Sequence, residues 1–133
     1  MSVNKVILLG YVSKFQEVKV NTTKDGKKVA NFVLTTSESW RDKSGEKKTK
    51  YENHRIVIWS DGLANVVEKY VSKGSKLYVE GALQTREHEG KYYTEVVLQG
   101  FNSKLEIINS NISDNAEPQV ENEPNGIEDD IPF

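Results

Sequence analysis

The chain of 133 residues has no cysteine. That excludes a disulfide framework and any thiolate metal site. His54 and His88 are its only histidines, and two histidines without cysteine are a poor donor set for zinc. No apolar run is long enough to cross a membrane, and no apolar leader core opens the chain. Met1-Ser2-Val3-Asn4 passes directly into a strand-like segment, which predicts a soluble, intracellular protein. Also missing are a glycine-rich phosphate loop, a nucleophile elbow and paired histidines at helical spacing. The acids of the body are scattered among basic residues, so no two-carboxylate or two-metal centre stands out.

Charge is unevenly spread. All 18 Lys and Arg lie before Ser110, whereas seven of the 20 Asp and Glu lie after it. Residues 1–110 therefore carry 18 basic against 13 acidic side chains, net +5, and the remainder carries −7. The formal charge of −2 hides a basic body tied to an acidic arm. A basic body suggests a polyanion as partner, and an acidic arm on the same chain can compete with it. The length and this split predict one domain over 1–109, a disordered linker over 110–127 and an acidic tip over 128–133.

The body reads as β. Val6-Ile7-Leu8-Leu9 is an apolar run broken by Gly10 before Tyr11-Val12, and a glycine there suits the bend a barrel needs. Lys14 to Val20 continues the strand after a break, and Lys24-Asp25-Gly26-Lys27 marks a hairpin. In the next strand, Val29 to Ser39, Ala30, Phe32 and Leu34 alternate onto one face. Arg41 to Lys50 reads as a charged loop. Tyr51 to Trp59 follows as a strand, with Tyr51, Asn53, Arg55, Val57 and Trp59 on one face and His54, Ile56 and Ile58 on the other.

The period then changes. Leu63, Val66, Val67, Tyr70 and Val71 fall at helical spacing, with Ser60 or Asp61 as cap and Gly74 beyond the end. Leu77 to Leu83 and Tyr92 to Leu98 are the last two main strands, joined through a loop at Arg86-Glu87-His88 and a turn at Glu89-Gly90-Lys91. Phe101 to Ile108 extends the last strand or adds an edge piece. Three strands, one helix and two strands fit a five-stranded Greek-key barrel, the OB arrangement; an SH3-like barrel has no place for this helix.

Trp40 and Trp59 each stand where a strand meets a polar or charged loop. An aromatic ring there can stack a nucleobase while Arg41, Lys43, Lys47 and Lys48 meet phosphates. The competing reading is that each indole covers a core edge with its N–H in water. Arg55 can meet a phosphate or a base, or form a cross-strand ion pair. His54 alternates onto the apolar face and is packed or at an interface. The tip, Glu128-Asp129-Asp130-Ile131-Pro132-Phe133, joins carboxylates to an apolar end. That is either a ligand for a basic-rimmed pocket on a partner or a solvated acidic tail.

These segments, in this order, resemble the bacterial single-stranded DNA-binding protein family. The likeness covers 3–108 and the tip. It rests on Asn4-Lys5-Val6-Ile7-Leu8-Leu9-Gly10, Thr36-Ser37-Glu38-Ser39-Trp40-Arg41-Asp42, His54-Arg55-Ile56-Val57-Ile58-Trp59, Lys73-Gly74-Ser75-Lys76-Leu77-Tyr78-Val79-Glu80-Gly81, Tyr93-Thr94-Glu95-Val96-Val97-Leu98 and Asp129-Asp130-Ile131-Pro132-Phe133. The resemblance implies a non-enzymatic OB-fold protein without cofactor or metal, in the cytoplasm and associated with the nucleoid. It implies a homotetramer that wraps single-stranded DNA with little sequence preference. It places Trp40, Trp59 and Arg55 on the DNA face, with Arg41, Lys43, Lys47, Lys48, Arg86 and His88 joining them, and His54 and Tyr78 at the subunit interface. Asp129, Asp130, Ile131, Pro132 and Phe133 would recruit replication, recombination and repair proteins. Two positions depart from the family: Asn53 and His88 stand where an indole is common. The linker is also short. The expectation is weaker binding or a shorter site than in typical members. A cold-shock-like RNA binder and an OB-fold nuclease are the alternatives. The tip argues against the first, and the lack of an acid cluster in the body argues against the second.

Overall fold

The computed structural model describes residues 1–109. In chain order these form β1 (Val6–Val12), β2 (Lys19–Thr22), β3 (Lys28–Arg41), β4 (Lys47–Ile58), α1 (Asp61–Tyr70), β5 (Lys76–His88), β6 (Lys91–Leu98) and β7 (Lys104–Asn109). Strands β1, β3, β4, β6 and β5 pair in that order, and β1 pairs β5 in turn, closing a five-stranded barrel. The pairing is antiparallel except between β4 and β6. This is the predicted OB barrel, with the helix between its third and fourth strands. β2 adds to β3 outside the ring, and β7 adds to β5 as an edge piece, one of the two expectations for this segment.

The alternation seen in the sequence becomes the core. Ala30, Phe32 and Leu34 of β3, Ile56 and Ile58 of β4, Leu77 and Val79 of β5, and Val96 and Leu98 of β6 are all buried. Helix α1 adds Ala64 and Val67, and Val71 at its C-cap joins them. Ser60 is the cap: its Oγ accepts from the Leu63 amide at 3.4 Å and its carbonyl from the Ala64 amide at 2.8 Å. Asp61 serves another purpose. Its Oδ1 accepts the Lys28 amide of β3 at 2.8 Å, while the Lys28 ammonium reaches Asn65 and Glu68 at 2.7 Å each. One lysine thus ties the helix to the barrel.

Three segments differ from the sequence reading. The strand after the break resumes only at Lys19, where it can pair β3. The charged loop of residues 41–50 shrinks to 42–46, because Glu38 with Lys50, Ser39 with Thr49, Trp40 with Lys48 and Arg41 with Lys47 continue the β3–β4 ladder. Lys47 and Lys48 are therefore strand residues. Likewise Arg86 and His88 belong to β5 and not to a loop. Glu89 and Gly90 both have positive φ, +53° and +80°, which gives a two-residue hairpin whose twist lets the ladder run to His88 opposite Lys91. The linker over 110–127 and the tip over 128–133 lie outside the described residues.

Two glycines are required by close approach. A Cβ on Gly10 would stand 2.4 Å from the Thr35 carbonyl oxygen, and one on Gly81 would stand 2.6 Å from that of Val97. Both neighbours are backbone and cannot swing aside. Gly81→Ala is expected to cost about 1–3 kcal/mol through overpacking. Urea unfolding of the two proteins checks this, with an unchanged midpoint as the contrary result.

Candidate nucleic-acid interface

Strands β3, β4 and β5 are long enough to run past the barrel as exposed ribbons, and parity then decides which side chains share a face. On β3 and β4 one series holds Thr35, Ser39, Arg41, Lys47, Thr49, Tyr51, Asn53 and Arg55. Two bonds tie it together: Thr35 Oγ1 to Asn53 Oδ1 at 2.7 Å, and Ser39 Oγ to Thr49 Oγ1 at 3.1 Å. The opposite series holds Glu38, Trp40, Lys48 and Lys50, with His54 at the barrel rim. His54 Nε2 lies 2.9 Å from Thr36 Oγ1, and its ring is half-buried.

Trp40 and Lys48 thus face away from Arg41, Lys47 and Arg55. Trp59 follows directly on β4, and its amide donates to the Leu98 carbonyl at 3.0 Å. Each indole is about half exposed. Lys48, the pairing partner of Trp40, stands eleven residues from Trp59 along β4, about 35 Å of strand. The structure therefore does not bring the two tryptophans together. Trp40 stands near the ribbon tip on the face of Lys48, opposite that of Arg41 and Lys47, and Trp59 stands at the barrel end.

The tip itself is ordered by Asp42. Its Oδ1 accepts from the Ser44 hydroxyl at 2.7 Å and from the Ser44 and Glu46 amides at 2.9 Å each. Arg41 Nη1 donates to the Gly45 carbonyl at 2.9 Å. Lys48 Nζ stands 3.4 Å from Glu46 and 3.9 Å from Asp42. The Ser44 hydroxyl bond foremost, with the Glu46 amide, holds the Asp42 carboxyl below its ordinary range.

Arg55 and Arg86, by contrast, do meet. Both guanidiniums lie over the Tyr93 ring, 5.4 Å and 5.1 Å from its centroid. Tyr93 pairs Arg86 across β5–β6, while the parallel β4–β6 pairing brings Arg55 to the same ring. Arg86 Nε donates to Glu95 Oε2 at 3.0 Å, and Glu95 is buried beneath it, a charge-assisted bond. His88 continues the Arg86 face of β5, with Nε2 3.3 Å from Glu89 Oε2. The sequence reading missed Tyr93. Period-two alternation through Lys91-Tyr92-Tyr93-Thr94-Glu95 gives its face but not its neighbours.

On the exposed face of β1, Ile7 and Leu9 are more than half exposed and line a pocket with Thr36, Ser37, Glu38, Lys50 and Glu52 of the β3–β4 ribbon. Tyr78 stands opposite Leu9 on β5, and its hydroxyl donates to Glu80, which Lys5 meets at 3.0 Å. The Glu80 bond pushes the Tyr78 phenol up, and the Tyr78 and Lys5 bonds pull the Glu80 carboxyl down. Tyr78 and His54 are not brought together: Tyr78 is on the outer face of β5, and His54 is at the inner rim of β4.

An OB barrel carrying exposed aromatic rings among guanidinium and ammonium groups has the makings of an oligonucleotide-binding module. The single-strand binding protein family model matches residues 3–111. A single-stranded DNA-binding protein of Rickettsia felis is 45% identical over 151 aligned positions, covering 99% of this chain and 98% of the relative. One from Rhizobium meliloti is 51% identical over 113, covering 80% and 64%. Among solved structures, a Plasmodium falciparum SSB in complex with ssDNA superposes with a TM-score of 0.75 at 36% identity, covering 82% of this chain and 97% of that one. A deletion mutant of the Thermus aquaticus single-stranded DNA binding protein shares the fold, with a TM-score of 0.64 at 22% identity over 80% of this chain and 50% of that one. The chain belongs to the single-strand binding protein family.

The Asp42 turn yields a pH prediction. A carboxyl whose folded value is lowered contributes order above its ordinary range and loses it as pH falls through the lowered value. An NMR titration of Asp42 is expected to give a midpoint below about 3.9, and Ser44→Ala is expected to raise it. An unmoved midpoint in the variant contradicts the assignment to the Ser44 hydroxyl.

Proposed function

We propose that this protein binds single-stranded DNA without strong sequence preference, coats it during replication, recombination and repair, and is not an enzyme. The observation that carries the reading is the pair of guanidiniums, Arg55 and Arg86, laid against Tyr93 on the exposed face of an OB barrel in a chain of this family. Arginine held flat by an aromatic ring presents its N–H fork to phosphate and its plane to a base. Arg41, Lys43, Lys47 and Lys48 extend the cationic surface along the ribbon. Trp40, Trp59 and His88 supply stacking rings. The family is itself a type case for the estimate of about 1–3 kcal/mol per stacked base, so that figure is a guide here and not a result.

The assembly in this reading is a homo-oligomer, a tetramer by family resemblance. The exposed Ile7 and Leu9 beside Tyr78 are an apolar surface that a second copy would cover. His54 is the second interface residue of the reading. The tip, Asp129-Asp130-Ile131-Pro132-Phe133, recruits replication and repair proteins, its apolar end filling a pocket and its carboxylates meeting a basic rim. No described helix is long and apolar enough to cross a membrane. The proposed location is the cytoplasm, on the nucleoid.

Tryptophan fluorescence titrated with poly(dT), and in parallel with duplex DNA over a salt series, tests the binding. Quenching by the single strand alone is expected. Arg55→Ala is expected to weaken binding and to reduce the slope of log K against log salt by about 0.7, one phosphate contact. Absence of binding at low salt overturns the reading. For the assembly, sedimentation velocity is expected to show an oligomer that Leu9→Lys dissociates; a monomeric wild type contradicts it.

A further inference from the structure

A groove of about 880 Å³ opens between the segment joining β1 to β2 and the outer face of β3–β4. Three aromatic rings converge on it: Tyr11, Phe15 and Tyr51, the last two 93% and 67% exposed. Single exposed rings are ordinary on a protein surface, but three lining one groove are not. The segment that carries Phe15 is pinned. The Ser13 amide donates to the Val33 carbonyl at 2.8 Å, and the Phe15 amide donates to Ser13 Oγ at 3.1 Å. Among the described residues no carboxylate lines the groove, while Lys14 does, and the Lys76 ammonium lies 5.6 Å from the centroid of Tyr11.

Asn53 forms part of the wall and shares its strand face with Arg55 two residues on. Its Oδ1 accepts the Thr35 hydroxyl, which orients the amide and leaves its NH2 group for a base edge. The groove therefore runs on from the Arg55–Tyr93–Arg86 face without a break in the sheet. Its chemistry suits one occupant. Rings with cations beside them and no anion among the described lining residues fit the stacked bases and phosphates of a nucleic-acid strand.

We propose that this groove is a base-stacking subsite, in which Tyr11, Phe15 and Tyr51 supply the aromatic surface that Asn53 does not. This rests on the reading of the barrel as a binder of single-stranded DNA and extends the path of the strand beyond the tryptophans. Bases enter against Phe15 and Tyr51, and Lys14 meets the backbone.

The test uses the full-length protein with oligo(dT) carrying 5-bromodeoxyuridine, cross-linked by light and mapped by mass spectrometry. Affinity of a Phe15→Ser/Tyr51→Ser double variant is measured alongside. Cross-links at Tyr11, Phe15 or Tyr51 are expected. The double variant is expected to bind at least tenfold more weakly with an unchanged salt slope, since no phosphate contact is lost. Lys14→Ala is expected to lower that slope by about 0.7. Both rings are exposed, so the variant is expected to melt as the wild type does, and Tyr51→Phe, which keeps the ring, is expected to retain affinity. The subsite is overturned if oligo(dT) quenches the tryptophans normally while cross-links avoid the groove and the double variant binds like wild type. A wild type that does not bind oligo(dT) at all overturns the functional reading itself, and the subsite with it.

Discussion

Everything in this fold depends on β1 serving two neighbours. From Val6 to Tyr11 it pairs Gly81 to Lys76 of β5, and at Tyr11 and Val12 it also pairs Thr35 and Leu34 of β3. That double pairing closes the ring and removes the open edges that a five-stranded sheet would leave. It demands backbone contact at Gly10, where any side chain would meet the Thr35 carbonyl. The chain after the helix reinforces the same point. Val12 accepts the Gly74 amide at 2.9 Å and donates to the Ser75 carbonyl at 2.8 Å. With β1 fixed on both sides, the register of β3 is fixed. Ala30, Phe32 and Leu34 must then point inward and Thr35 outward, and the outward series continues across β4 to Asn53 and Arg55.

Much of this was legible in the sequence, because it is local. Alternation in β3 and β4, the 3.6-residue period of α1, a cap at Ser60 or Asp61 and the two hairpin signals all follow from residues a few positions apart. The extent of the ribbons was not legible. A two-stranded ribbon exposed on both faces has the composition of a loop, so Arg41 to Lys50 gave no periodic signal even though half of it is ladder. Nor was the face of Trp40. It turns on a single residue of parity, set by the pairing of Trp40 with Lys48. The meeting of Arg55 with Tyr93 lies further still from the sequence. It needs the parallel β4–β6 contact, which joins segments about forty residues apart through the helix and β5.

The aromatic side chains are distributed in a way that Asn53 and His88 help to explain. Trp40 and Trp59 stand at the two ends of the β3–β4 ladder, separated by about 35 Å of strand. Between them the outer face has no indole. It has Tyr51 and Asn53 along β4, and Tyr93 reached from the neighbouring strand. Tyrosine offers a smaller ring than tryptophan but keeps a polar tip in water, which suits a surface exposed when no strand is bound. In the proposed mode of binding, a path built from more, smaller rings spreads the stacking contribution over more positions. It leaves each contact weaker than one made by an indole.

Charge sets the other half of the balance. Many of the body's cations already have a carboxylate partner: Lys48 with Glu46, Lys50 with Glu52 at 3.6 Å, Arg86 with Glu95. The two lysine pairs lie on the ribbon surface with both partners well exposed, where such a pair contributes about 0–1 kcal/mol. A phosphate can displace those carboxylates at little cost, so the lysines remain usable, but each exchange returns less than a cation met from water. Arg86 is different. Glu95 is buried beneath it, so losing that partner would strand a carboxylate away from water. Arg86 is therefore held as a fixed donor, aimed by Glu95 and Tyr93 together, while in the proposed mode of binding the lysines of the ribbon would form an adjustable cationic field. These pairs take up cations and carboxylates in equal number, so the body's net +5 is the cationic excess that remains for a polyanion.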